Sequence, residues 1–202
     1  MVIDEINLKK LEALNNKKVM EYVYEAIELC KPDKVTVITD SEEDIAYVKN
    51  LALQNQEEKK LAMEGHTVHF DGIHDQGRDK ENTRYLVSEK VDWGIDVNSM
   101  LQSEGLAEIT EIMRGIMKGK EMLVAFFCLG PTHSPFSIRA MQITDSAYVV
   151  HSEKILYRTG YEEFKRLQGS DNFFFFIHSA GRLHDGKTVD IDKRRLFTDL
   201  VD

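Results

Sequence analysis

Residues 122–129 read MLVAFFCL, a continuous apolar run that is bounded by Gly130 and Pro131. An unbroken run of this kind is typical of a strand that is covered on both faces, because a half-exposed strand alternates apolar and polar side chains. The run is also far shorter than the ~20 residues that a membrane-spanning helix requires. We therefore predict that residues 122–129 form a strand at the centre of a sheet.

The sequence before this strand begins with helical patterns. Apolar residues recur at helical spacing from Asn7 to Cys30, which predicts one or two helices broken near Asn15. The β-branched run Val35–Thr39 predicts a buried strand. Ser41 is a candidate helix cap, and residues 42–64 have the pattern of one or two exposed amphipathic helices.

A polar region separates these elements from the central strand. Residues 66–70 alternate as a half-buried strand does, and a polar loop follows to about Asn82. Residues 83–88 are predicted to form a strand, and residues 106–117 a helix.

After the central strand, strand patterns dominate. Residues 140–143 and 148–150 are predicted to be two short strands joined by a polar turn. Residues 161–167 are expected to be helical, and residues 173–177 form the last strong strand pattern. This order favours an α/β or α+β fold, with a mixed β-sheet flanked by helices.

The composition indicates one soluble domain, or two small lobes, over residues 1–202. The chain is 42% hydrophobic and 30% charged, which is enough apolar material for one sizeable core. Residues 190–202 are highly charged and are expected to form a linker, a tail or an unfinished helix. We find no secretory signal pattern, and Cys30 and Cys128 belong to no CxxC motif, so we expect two buried thiols in a cytoplasmic protein.

The net charge of −9 excludes general binding to nucleic acids or anionic membranes, because such binding needs a cationic surface. An anionic ligand would have to be held by a local cationic pocket. The loop of residues 74–84 contains Arg78, and arginine pairs bidentately with carboxylates and phosphates. Charge-rich loops more commonly face solvent, however, so composition leaves both interpretations open.

Residues 130–137 are interpreted either as a wall of a cleft or as a rigid turn fixed by prolines, and the turn is favoured.

The seven histidines raise the alternative of a metal site, particularly His66 and His69. Positions 66 and 69 of one extended strand point to opposite faces, so we predict no metal site from this pair. The sequence also lacks a phosphate loop, a dinucleotide-binding fingerprint and a nucleophile elbow. It predicts ligand binding without a complete catalytic set.

Two stretches of the sequence resemble the GTP-dependent phosphoenolpyruvate carboxykinases. Residues 130–135 match the family's Gly-Pro-x-x-Ser-Pro, and residues 144–150 match its Thr-Asp-Ser-x-Tyr-Val-Val at the same separation. Further matches, in the family's order, are Cys30–Asp33, Thr39–Glu43, Gly77–Asp79, Tyr157–Gly160 and Phe176–Gly181. The resemblance covers about residues 19–181 and implies the fold of the carboxykinase amino-terminal domain.

The resemblance also implies a function. The family's enzymes are decarboxylating lyases of gluconeogenesis that convert oxaloacetate and GTP into phosphoenolpyruvate, GDP and CO2, using manganese and a magnesium nucleotide. Arg78 matches the family arginine that holds the carboxylates of oxaloacetate or phosphoenolpyruvate, although Gly77 replaces the usual proline. The family's phosphate loop, metal ligands and guanine pocket lie beyond the stretch matched here.

We therefore expect a substrate-binding amino-terminal domain that has no catalytic residue of its own, is inactive alone and needs a carboxy-terminal catalytic domain. The alternative is a non-catalytic binding or regulatory module that retains the same fold. A domain of a larger enzyme is expected to expose an apolar patch of several hundred Å², which an autonomous module would not.

Overall fold

The structure is a computed structural model that describes residues 2–70, 72, 79–89 and 97–201. The helices are α1 (Glu5–Glu12), α2 (Lys17–Cys30), α3 (Glu42–Gln54), α4 (Gln102–Met113), α5 (Ala147–Leu156) and α6 (Tyr161–Lys165), with a 3-10 turn at Ile191–Lys193. The strands are β1 (Lys34–Val37), β2 (Lys59–Lys60), β3 (Thr67–Val68), β4 (Thr83–Val87), β5 (Ser99–Leu101), β6 (Glu121–Leu129), β7 (Ile138–Thr144), β8 (Arg158–Thr159), β9 (Phe174–His178), β10 (Leu183–His184), β11 (Lys187–Thr188) and β12 (Leu196–Asp199).

The main sheet is mixed and has the strand order β1-β6-β7-β9. Strand β6 runs parallel to β1 and antiparallel to β7 and β8, while β7 and β9 are parallel. Seven of the nine residues of β6 are buried. The prediction that residues 122–129 lie at the centre of a sheet is therefore confirmed.

Helices cover both faces of this sheet. On one face, Val124 and Phe126 of β6 pack in a core cluster with Val19 and Val23 of α2 and Phe164 of α6. On the other face, apolar residues of α3 and α5 pack against β6 and β7; they are Val48, Ala52, Ala147 and Val150. This arrangement confirms the predicted fold class of a mixed β-sheet flanked by helices.

A smaller parallel sheet has the order β12-β4-β5. Strand β4 confirms the strand predicted at residues 83–88. Strand β12 corrects the interpretation of residues 190–202 as an unfinished helix, because Leu196–Asp199 pairs with β4. Two statements stay predictions: residues 190–202 also serve as a linker, and residues 1–202 form one substrate-binding domain.

Local capping explains where several helices begin. The side chain of Asn16 accepts hydrogen bonds from the N–H groups of Lys18 and Val19, which starts α2 and confirms the predicted break near Asn15. Ser41 caps α3 in the same way, as predicted. Within the described ranges, no helix combines the length and the apolar composition needed to cross a membrane.

Three predicted elements need correction. Residues 148–150 lie in helix α5 and not in a strand, because Ser146 caps the chain there and Val150 packs under the sheet. The helical pattern of residues 42–64 ends at Gln54, and β2 follows. The helix predicted at residues 106–117 begins and ends four residues earlier, as α4.

Candidate functional site

A cavity of about 1230 Å³ opens beside the main sheet, between α4, α5 and the segment that follows β9. Among the described residues that line it, eight are Lys or Arg and four are Asp or Glu. This local excess of cations contrasts with the net charge of −9 of the whole chain. The cavity is therefore suited to an anionic ligand.

The floor of the cavity forms where the parallel strands β7 and β9 end side by side, with Thr144 opposite His178. The hydroxyl of Thr144 and Nδ1 of His178 are 2.8 Å apart. Burial lowers the pKa of His178, against the opposing charges of Asp145 and Glu57. The neutral ring is therefore favoured at this edge.

Asp145 ties the two segments after these strands together. Its carboxylate accepts hydrogen bonds from Lys120 Nζ (2.5 Å), the Ser179 hydroxyl (2.7 Å) and the Ala180 N–H (2.9 Å). The Lys120 ammonium group also donates to the carbonyl of Gly181. The side chain of Asp145 is fully buried, so this charge is neutralised by Lys120 inside the fold.

Glu57 fixes the start of α5 on the cavity wall. Its buried carboxylate accepts hydrogen bonds from the Ser146 hydroxyl and from the N–H groups of Ala147 (3.2 Å) and Tyr148 (3.1 Å). An acidic group at this position also complements the partial positive charge of a helix N-terminus. Nothing in the local sequence singles out Glu57, because its partners lie about 90 residues further along the chain.

His69 lies at the same wall of the cavity. Its ring stacks on Tyr148, with ring centroids 3.6 Å apart, and its Nδ1–H donates to the carbonyl of Glu57 (2.6 Å). Gly72 lines the cavity. At the other end of the loop, the carboxylate of Asp79 lies 3.8 Å from Nε of Arg194, which also lines the cavity.

Arg78, the candidate substrate ligand, lies outside the described residues. The nearest described residues on its two sides are Gly72, which lines the cavity, and Asp79, whose carboxylate lies beside Arg194 of the cavity lining. The remainder of the interval from 73 to 77 is likewise outside the description.

The loop of residues 130–137 has the contacts of a self-braced turn. The Ser137 hydroxyl donates to the carbonyl of Pro131 (2.6 Å) and accepts from the Ser134 N–H (3.3 Å). The His133 N–H donates to the buried carboxylate of Glu163 (3.0 Å). None of residues 130–137 lines the cavity, so these contacts support the interpretation as a rigid turn over that of a cleft wall.

The described part of the chain contains no group of three His, Cys, Asp or Glu residues that is arranged to hold a metal ion. His66 is exposed, whereas His69 is engaged by Glu57. Cys30 and Cys128 are both buried, as predicted, and burial raises the pKa of the Cys30 thiol to about 11. The described residues therefore do not fit the manganese ion that the resemblance implies.

The family model of the phosphoenolpyruvate carboxykinase N-terminal domain matches residues 21–200. This chain belongs to that family. Enzymes named phosphoenolpyruvate carboxykinase [GTP] are similar to it: that of Pyrococcus abyssi is 54% identical over 99% of this chain and 32% of its own length. The Saccharolobus solfataricus enzyme is 43% identical over 96% of this chain and 30% of its own length. The chain thus spans about a third of the length of these curated relatives.

The carboxykinase motifs can now be located in the fold. The predicted resemblance to this family is confirmed, and two of the stretches that carry it, residues 144–150 and 176–181, meet at the cavity. The Asp145 hydrogen bonds hold one stretch against the other. The carboxykinase motifs therefore build the wall and floor of the cationic cavity.

Proposed function

We propose that this chain is the substrate-binding amino-terminal part of a GTP-dependent phosphoenolpyruvate carboxykinase, which converts oxaloacetate and GTP into phosphoenolpyruvate, GDP and CO2. The observation that carries the proposal is the cationic cavity, whose walls are built by the family's own motifs. Oxaloacetate and phosphoenolpyruvate are multiply charged anions, and such ligands need focused cationic contacts in a protein of net charge −9.

Most of the described cations that line the cavity pair with carboxylates, among them Arg194 with Asp79 and Arg195 with Glu108. We assign two of these pairs a role in shaping the loops of the cavity. Lys120 pairs with Asp145. The guanidinium and N–H of Arg182 donate to Asp190, and these hydrogen bonds lower the pKa of Asp190 to about 2. Holding the substrate carboxylate is assigned to Arg78, whose planar fork matches a carboxylate and orients it for reaction.

In this proposal the chain positions substrate and performs no bond chemistry. The metal ions, the guanine nucleotide and the groups that transfer the phosphoryl group belong to the remaining two thirds of the family polypeptide. The isolated chain is therefore proposed to be inactive, and its location in the cytoplasm stays a prediction. The non-catalytic module is the rival that the following experiment addresses.

Titration of the purified chain with phosphoenolpyruvate and with oxaloacetate, followed by NMR chemical shifts, is expected to show weak saturable binding. Arg78→Ala should weaken it at least tenfold, which corresponds to about 1.4 kcal/mol, because the bidentate contact is lost. The matched control is Arg84→Ala: Arg84 lies on β4, bonds to the backbone carbonyls of Glu81 and Thr83, and does not line the cavity.

Equal affinities of the wild type and Arg78→Ala would remove Arg78 from the site. An absence of binding to the wild type would contradict a preformed substrate half-site on this chain. Loss of binding in both Arg78→Ala and Arg84→Ala would show that the effect is general charge and not a specific contact.

A further inference from the structure

Within residues 2–70, 72, 79–89 and 97–201, one face of strand β9 carries no covering helix or strand. It lies at the end of the strand order of the main sheet, and its register places Phe174 beside Ala140 and Phe176 beside Gln142. Ala140 and Gln142 are 4% and 8% exposed, whereas Phe174 and Phe176 are 62% and 51% exposed. The layer formed by α3 and α5 thus covers β7 and stops short of β9.

The opposite face of the same strand is covered at Phe173 and Phe175, although Ile177 further along this face is 36% exposed. Phe175 stacks on Tyr22 of α2, with ring centroids 4.2 Å apart, and the preceding Phe173 packs against Phe164 at 5.0 Å. A strand with one face in water normally places polar residues on that face, yet here aromatic residues occupy both. The sequence of β9 is that of a strand covered on both sides.

The exposed phenylalanines belong to a larger apolar surface. Ile138 lies on the same face of β7 as Ala140 and is 46% exposed, and Phe136 in the preceding turn is 78% exposed. A small cleft lined by Phe136, Ile138 and Phe174 joins these side chains. We call Phe136, Ile138, Phe174 and Phe176 the β9 patch.

The β9 patch borders the candidate substrate site, because Phe176 also lines the cationic cavity. A partner that covers the patch would therefore reach the open side of that cavity. Contiguous exposed aromatic residues are typical of interaction surfaces, since monomers rarely leave them in water.

We propose that the β9 patch is the docking surface for the carboxy-terminal two thirds of the carboxykinase polypeptide. The relatives match this chain over about a third of their length, so a segment about twice as long as this chain is available to cover the patch. The inference rests on the proposed function, which makes this chain one part of a longer enzyme. The inference goes further by stating that the carboxy-terminal part contacts the β9 patch of this chain.

The test joins this chain to the carboxy-terminal part of the Pyrococcus abyssi enzyme that lies outside the match, in one polypeptide. Hydrogen–deuterium exchange of the peptide containing β9 is compared between the joined polypeptide and the free chain. We expect at least tenfold slower exchange in the joined form, because the patch and the open edge of β9 become covered. Unchanged exchange of this peptide in a joined polypeptide that has carboxykinase activity overturns the docking surface and leaves the proposed function standing.

Slow exchange without carboxykinase activity has the opposite meaning: the docking surface stands and the proposed function fails. A titration in trans covers the case in which the joined polypeptide does not fold. The separate Pyrococcus abyssi part is added to the labelled chain, and the double variant Phe174→Ser/Phe176→Ser should bind at least tenfold more weakly than the wild type.

The matched control for this titration is Ile6→Ser, since Ile6 is 70% exposed on α1, away from the patch. Equal binding by the double variant and the wild type overturns the proposal. So does a concentration-dependent dimer of the free chain that the double variant abolishes, because a second copy would then be the natural occupant.

Discussion

Replacing Glu57 by alanine is expected to lower the free energy of unfolding by about 3 kcal/mol. Glu57 as a residue is 5% exposed, and its carboxylate accepts three hydrogen bonds at the start of α5. Without it, the hydroxyl of Ser146 and the N–H groups of Ala147 and Tyr148 lose their partner in a site that has little access to water. Leaving buried donors without acceptors costs more than the bonds themselves contribute.

Chemical denaturation followed by far-ultraviolet circular dichroism measures this loss. Ser41→Ala is the control, because Ser41 caps α3 at an exposed position and its loss is expected to cost only about 1 kcal/mol. Glu57→Gln should fall between the two, since one acceptor oxygen remains. If Glu57→Ala costs no more than Ser41→Ala, the carboxylate does not hold α5.

The parts of the fold that were predicted correctly depend on local signals. The run at residues 122–129 is long and uninterrupted, so its burial on both faces follows from the composition alone. The break before α2 likewise lies in the chemistry of Asn16, whose side chain bonds to N–H groups two and three residues on. Neither element needs information from distant parts of the chain.

The errors fall where distant residues decide the local structure. Tyr148, Val149 and Val150 favour strands by propensity. They lie in a helix that is capped by Ser146, and Glu57 supports this cap from about 90 residues away by accepting hydrogen bonds from Ser146, Ala147 and Tyr148. In the same way, the charged segment at the end of the chain forms β12 only because β4 offers a partner more than a hundred residues upstream.

The residues that organise the candidate site could not be predicted from the sequence, and the assignment of Arg78 to it stays a prediction. Glu57 and Asp145 organise the cavity, but a lone acidic residue in a sequence is expected at the surface, because Asp and Glu are rarely buried unless paired. The pairing of Asp145 with Lys120 is visible only once β6 and β7 are placed side by side. Residues 144–150 could be recognised as a motif, but their sequence alone does not show what they contact.

Gly160→Ala is expected to destabilise the chain by at least about 3 kcal/mol, through a clash in the centre of the main sheet. A Cβ atom at Gly160 would lie 2.5 Å from the carbonyl carbon, 2.6 Å from the oxygen and 2.7 Å from the nitrogen of Phe127. The Gly160 N–H also donates to the carbonyl of Phe126 (2.9 Å). The two backbones are therefore held together at a distance that leaves no room for a side chain.

The clash cannot be relieved by a side-chain rotation, because the atoms that a Cβ would meet are backbone atoms of β6. Phe127 pairs with Ala140 of β7 on one side and with Thr159 of β8 on the other, so moving it would disturb both neighbours. Gly65→Ala is the control: a Cβ there meets nothing within 4 Å, and the positive φ of 76° costs only about 1–2 kcal/mol. Gly160 has a φ of −129°, so its replacement adds no left-handed strain, and a loss larger than that of Gly65→Ala in the denaturation curves is due to the clash. Equal losses would mean that the strand β8 can move away from β6, and the close approach at Gly160 would then contribute nothing to the stability of the sheet.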